Sequence, residues 1–125
     1  MQKWLYNNQM TISQVVIFFK RHNIVYTKTM IQHYMRINLL PPPLEKRYYT
    51  HEHLQMLFII DYLKSVYALD EIKEMFVISN MPISQTYERF VQLKEGAELA
   101  HTDILTLMCK SVSLKKTAQA LLQTE

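Results

Sequence analysis

Apolar residues recur along this chain at helical rather than alternating spacing. In MTISQVVIFFKRHN, Ile12, Val15, Val16 and Phe19 share one side of a helix. Thr11 with Gln14 three residues on has the spacing of a capping box, Lys20 and Arg21 suit the negative C-terminal end, and Asn23 can close it. After a short IVY connection, Thr27 is positioned to cap a second helix, KTMIQHYMRINLL. Its Met30, Ile31, Tyr34 and Met35 form one apolar face, with Lys28, Thr29, Gln32, His33 and Arg36 mainly on the other. Pro41, Pro42 and Pro43 end that helix, because each removes a backbone donor and restrains the residue before it.

The following LEKRYYT is short, basic and aromatic, and reads as a β-ribbon or wing of minimal length, with Thr50 as the next N-cap. A third helix, from His51 to about Tyr67, is apolar on more than one face, so it is expected to be central and buried. A fourth, ALDEIKEMFVI, has Asp70 and Glu71 in its first turn, where the dipole favours them, and Leu69, Ile72 and Phe76 directed inward. Beyond SNMPIS the pattern changes. Phe90, Leu93, Ala97, Ala100, Ile104 and Leu107 follow a spacing of three and four that makes a narrow seam, continued by Leu114, Ala118 and Leu121. Gly96 inside the seam and Thr102–Asp103 leave open one long helix or two. The joint at residues 78–83 divides the chain into 1–80 and 81–125.

Composition agrees with an all-α fold carrying a minimal β wing. One Gly and four Pro in 125 residues allow few tight turns, which argues against a β sandwich. The single cysteine, Cys109, excludes an intramolecular disulfide and a thiolate zinc cage within one chain, and its apolar setting reads as a small buried hydrophobe. His51 and His53, two residues apart on a helix start, point to different sides, so no metal site is expected there. One glycine rules out a phosphate-cradling glycine motif, and no nucleophile and base stand at supporting spacing. Neither an enzyme nor a bound cofactor is expected. MQKWLYNNQM has no signal-peptide core, and the apolar run near Leu54–Ile60 is far shorter than the ~20 residues a membrane span needs. A cytoplasmic location is the expectation.

The net charge of +3 hides an asymmetry. Residues 1–50 hold seven bases against one acid, and residues 51–125 seven bases against ten acids. A polyanion partner for the first half is one reading of that imbalance; an unevenly charged solvated surface is the other.

The segments YMRINLLPPP and RYYTHEHLQMLFIIDYLKSVYALDEIKEMF resemble the DNA-binding domain of MerR-family transcription regulators over about residues 11–77. Tyr34, Leu39, Leu40, Pro42, Arg47, Tyr49, Leu54, Leu57, Ile60, Leu69, Glu71 and Ile72 stand at the matching positions. LYNNQMTISQV and YTKTMIQHYM look closer still to an uncharacterised bacterial MerR-like family that lacks an effector domain. The departures are Gln32 where a phosphate-clasping Arg is usual, His33 for a Tyr, Asn38 for a Gly, Ala68 for a capping Ser, and a shortened wing.

The resemblance implies a winged helix-turn-helix (residues 1–80) followed by a C-terminal dimerisation helix or helix pair, and a homodimer bound to double-stranded DNA. In such a fold the second helix enters the major groove. Lys28, Thr29, Gln32, His33 and Arg36 would then face the duplex, Gln32 reading adenine edges and Lys28 and Arg36 holding phosphate, while Lys46, Arg47 and Tyr48 of the wing lie on the adjoining backbone. Phe90, Leu93, Ala97, Ala100, Ile104 and Leu107 would form the dimer seam. The implied function is sequence-specific transcription regulation, with no evident small-molecule ligand. Two other readings use the same fold: a protein-interaction module, or an excisionase-like architectural or recombination accessory factor.

Overall fold

The computed structural model describes residues 10–96 and 103–123. Among these residues there are six helices: α1 (Ile12–Lys20), α2 (Lys28–Arg36), α3 (His51–Leu63), α4 (Leu69–Ser79), α5 (Ile83–Lys94) and α6 (Ile104–Gln123). The protein is all-helical. Among the described residues extended pairing is limited to two isolated antiparallel bridges, Met10 with Tyr49 and Leu44 with Tyr48. No helix among the described residues is long and apolar enough to cross a membrane. The chain divides into two compact units, Met1–Phe58 and Ile59–Glu125, and the division falls inside α3.

Local chemistry accounts for the boundaries in the first unit. Thr11 and Gln14 form the capping box, with Thr11 N–H donating to Gln14 Oε1 (2.9 Å) and Gln14 N–H to Thr11 Oγ1 (3.4 Å). Thr27 Oγ1 accepts from Met30 N–H at 3.1 Å and starts α2. Asn23 and Asn38 follow α1 and α2 in left-handed conformations, φ 60° and 62°. The next residues, Ile24 and Leu39, donate back to the carbonyls of Phe19 and Tyr34. This is the Schellman closure, and asparagine tolerates its left-handed residue better than most side chains do. The core beneath comprises Phe19, Tyr26, Ile31, Tyr34, Leu39, Leu40, Leu54 and Leu57, each at most 3% exposed. Within it the Tyr26 hydroxyl donates to the Leu57 carbonyl at 2.6 Å.

In the second unit Ile59, Ile60, Leu63, Ile72, Met75, Phe90, Leu105, Met108, Cys109 and Val112 are buried. Inward-facing on α4 are Ile72 and Met75; Leu69 and Phe76, expected there, are only half-buried. Helix α3 stops at Leu63, short of the expected Tyr67. Helix α4 begins without a side-chain cap at Ala68, whose N–H is satisfied instead by Glu71 Oε1 at 2.8 Å.

The seam expected over residues 90–107 is not one helix. α5 ends at Lys94, Gly96 follows with φ 90°, and α6 starts at Ile104. Phe90 is 2% exposed and its ring meets Tyr62 (5.4 Å) and Tyr87 (6.1 Å) of its own unit, so it is core rather than interface. Leu93 and Ile104 are half-buried, Leu107 is exposed, and Ala97 and Ala100 lie outside the described residues. Spacing alone does not distinguish a face that covers its own chain from one that meets another. Asp103 opens α6, accepting from Thr106 N–H at 2.8 Å and pairing with Arg89. Every residue from Ser113 to Gln123 is exposed.

Candidate nucleic-acid interface

Because Ile31 and Tyr34 are buried, the helical repeat turns Lys28, Thr29, Gln32, His33 and Arg36 outward, and all five are exposed. The residues after α2 leave as an extended proline segment and then reverse direction over Leu44–Tyr48. Leu44 and Tyr48 exchange backbone hydrogen bonds at 2.8 and 2.9 Å, and Arg47 N–H donates to the Leu44 carbonyl at 3.0 Å. Glu45 and Lys46 take φ of 51° and 64°. Two successive positive values are the sign pattern of a type I′ turn, usually filled by Asn or Gly. For other side chains the left-handed region costs roughly 1–2 kcal/mol per residue. The Leu44–Tyr48 segment is therefore a strained reversal.

That reversal brings Lys46 and Arg47 out as exposed cations. Tyr48 is half-buried and supports Arg47, whose guanidinium carbon lies 5.0 Å from the ring centroid. A cation held over an aromatic face loses less freedom when it binds an anion. Tyr49, next in the chain, is 4% exposed, and burial pushes its phenol above the ordinary tyrosine range. Its hydroxyl donates to Met35 Sδ on α2 at 3.6 Å. The reversal is thus tied to the helix that carries Gln32.

An open groove of about 390 Å³ lies between these parts. Thr11 and Ile12 at the start of α1, Gln32 and Met35 of α2, Pro42 and Pro43, and Lys46, Arg47 and Tyr49 of the reversal line it. Of the eight residues expected at the interface, Gln32, Lys46 and Arg47 meet here. Lys28, Thr29, His33 and Arg36 lie on the same exposed helix face without lining the groove, and Tyr48 acts beneath Arg47. Sequence reasoning did not assign Thr11, Ile12, Met35 or Tyr49 to this surface. The one available signal was that the α1 cap and the wing tyrosines are close to ends of their elements.

His53 also escaped the sequence reading. It stands at the start of α3, but it is 3% exposed and bonded through both ring nitrogens. In the second unit Cys109 is buried, and burial pushes its thiol up to about 12 against the opposing pull of Lys94. It is not a thiolate at neutral pH. No cluster of metal-ligating side chains occurs among the described residues.

An all-helical chain with an exposed polar helix face beside a cationic reversal is the class this geometry defines. The chain belongs to the family described as a domain of unknown function (DUF1836), which matches residues 4–95 and so includes α1 to α5 but not α6. No curated protein and no solved structure matches it.

Proposed function

We propose that the protein is a sequence-specific DNA-binding transcription regulator that works as a homodimer, its first unit acting as a MerR-like winged helix-turn-helix. The observation that carries this reading is the convergence of Gln32, Lys46 and Arg47 on one open groove beside an exposed face holding Lys28 and Arg36. In this reading Lys28, Arg36, Lys46 and Arg47 neutralise phosphates, and Gln32 and Thr29 meet base edges. The asymmetry of charge, +6 over residues 1–50, supports a polyanion on this unit.

The dimer is proposed through α6. Leu107, Leu114 and Leu121 recur every seven residues and are 51%, 71% and 64% exposed. The eleven residues after Val112 bury no side chain of their own, and a partner helix would stabilise them. Two-fold pairing would present two copies of α2 to a pseudo-palindromic site.

Selection of bound sequences from a random duplex pool tests the proposal. Recovery of a pseudo-palindrome supports it, and recovery of an unenriched pool opposes it. A protein-interaction module is the second reading, favoured by the apolar wall that Ile12, Met35, Pro42 and Pro43 give the same groove. An excisionase-like accessory factor would share the DNA contacts and differ in the sites recovered.

A further inference from the structure

We propose that His53 is a positioning residue for the wing, and that its neutral imidazole is a clasp whose protonation releases the groove's grip on DNA. The ligand half of this statement rests on the DNA-binding reading above; the clasp does not.

Both ends of the segment carrying Lys46 and Arg47 are bonded to this one ring. At one end, His53 Nε2 lies 3.0 Å from the carbonyl oxygen of Pro41. At the other, Nδ1 lies 3.0 Å from the backbone nitrogen of Thr50 and 3.0 Å from its hydroxyl. A backbone N–H can only donate, so Nδ1 accepts; a carbonyl can only accept, so Nε2 carries the proton. The neutral Nε2–H tautomer is the one state that satisfies both contacts. Thr50 and His53 stand three residues apart at the start of α3, the relation in which Glu or Gln commonly reaches back to the N-cap N–H. Here the reaching group is an imidazole, which can take a second proton.

The ring also packs against the wing. Tyr49 meets it edge-on at 5.2 Å, while the Tyr49 hydroxyl reaches Met35 of α2. One buried imidazole thereby sets the distance between the end of α2, the base of the wing and α3. A second ring proton would place an Nδ1–H against the Thr50 N–H, donor against donor. The Thr50 hydroxyl, 3.0 Å from Nδ1, can accept that proton, but the Thr50 N–H loses its acceptor and the loop from Pro41 to Thr50 loosens at its base.

Burial lowers the proton affinity of His53, opposed by the Pro41 and Pro42 carbonyls and by Glu52. Glu52, on the same helix, is the charged group acting on it; the wing contributes the Tyr49 phenol, neutral across this range, and the proline segment no ionisable side chain.

The test is a nitrogen-15 NMR titration of the free full chain from about pH 8 to about pH 4, reaching below the ordinary imidazole range because burial lowers the proton affinity of His53. A duplex recovered by selection is titrated in parallel. The expected result is an Nε2–H tautomer at high pH, with the Lys46, Arg47 and Thr50 amides shifting at the His53 midpoint. DNA affinity should fall below that midpoint, approaching tenfold per pH unit. His53→Gln keeps an acceptor without a titration, and its wing amides and affinity should lose this dependence. Exposed imidazoles beside phosphate give the opposite sign, tightening binding in acid. Wing amides that ignore the His53 midpoint in the unsubstituted protein overturn the proposal without recourse to any variant. So does a duplex-binding pH profile identical in H53Q. If no duplex binds at any pH while the amides still follow His53, the clasp stands and the DNA reading falls.

Discussion

Met10 and Tyr49 exchange both backbone hydrogen bonds, Met10 N–H to the Tyr49 carbonyl at 3.2 Å and Tyr49 N–H to the Met10 carbonyl at 2.7 Å. The pair joins the wing's returning arm to the segment that enters α1, and both side chains are buried. The Tyr49 ring fills the space beneath. Tyr49→Ala should therefore destabilise the protein by about 3–5 kcal/mol, the range for deleting a buried aromatic. Tyr49→Phe, which loses only the hydroxyl contact to Met35, should cost about 1 kcal/mol or less. Urea denaturation of the two variants separates ring packing from the hydroxyl.

The strained turn predicts a dissociation of stability from binding. Glu45 and Lys46 both hold positive φ. Glycine at either position removes the steric cost but adds freedom to the unfolded chain, leaving a net gain of roughly 0.5–1 kcal/mol. Glu45→Gly should stabilise and also remove the one acid from a basic surface, so DNA binding should hold or tighten. Lys46→Gly should stabilise similarly and bind more weakly. Equal binding by the two variants would show that Lys46 makes no phosphate contact.

His53 predicts the direction of acid sensitivity. Its folded proton affinity is depressed, so the unfolded chain takes up the proton first as pH falls. The stability contributed is full above the ordinary histidine value of 6.5 and is lost progressively as pH drops below it, until the folded imidazole itself titrates. Urea midpoints near pH 7.5 and 5.5 should differ more in the unsubstituted protein than in H53Q.

Asp103 has two tasks, capping α6 and pairing with Arg89. Asparagine is as good a cap as aspartate but lacks the charge, so Asp103→Asn should retain most of the stability. Asp103→Ala should cost about 1 kcal/mol more than Asp103→Asn, the usual worth of a cap. Thermal unfolding of both variants measures the difference.

How much was legible in the sequence follows from the range of the interactions. Thr11 with Gln14, and the asparagines closing α1 and α2, act within a turn of their own position, and their residue types declare them. The exposed face of α2 followed from the burial period of Ile31 and Tyr34. His53 was hidden because its second partner, Pro41, lies 12 residues away and a burial of 3% is invisible to a local pattern. The left-handed Glu45 and Lys46 were hidden because neither is a residue that seeks that conformation. Phe90 fitted a seam by spacing, yet spacing carries no information about which chain the partner side chains come from. Gly96 and the second start at Thr102–Asp103 were the visible signs that the seam breaks.

Gln32 predicts a change in selectivity rather than strength. It lines the groove as a neutral amide able to accept and donate at once, the pattern an adenine edge complements. Gln32→Ala should lower discrimination at one base pair by about 1–3 kcal/mol while leaving the salt dependence of binding unchanged. Repeating the pool selection with this variant reads that position directly.

The central claim, a cationic DNA-binding groove on the first unit, is tested most directly by fluorescence-anisotropy titration of a labelled duplex at several salt concentrations. The chain should bind with a steep negative salt slope, and Arg47→Ala should weaken binding across sequences and reduce that slope by about one. Binding that is absent at low salt, or that ignores both salt and Arg47, would contradict the claim and leave the apolar-walled groove to a protein partner.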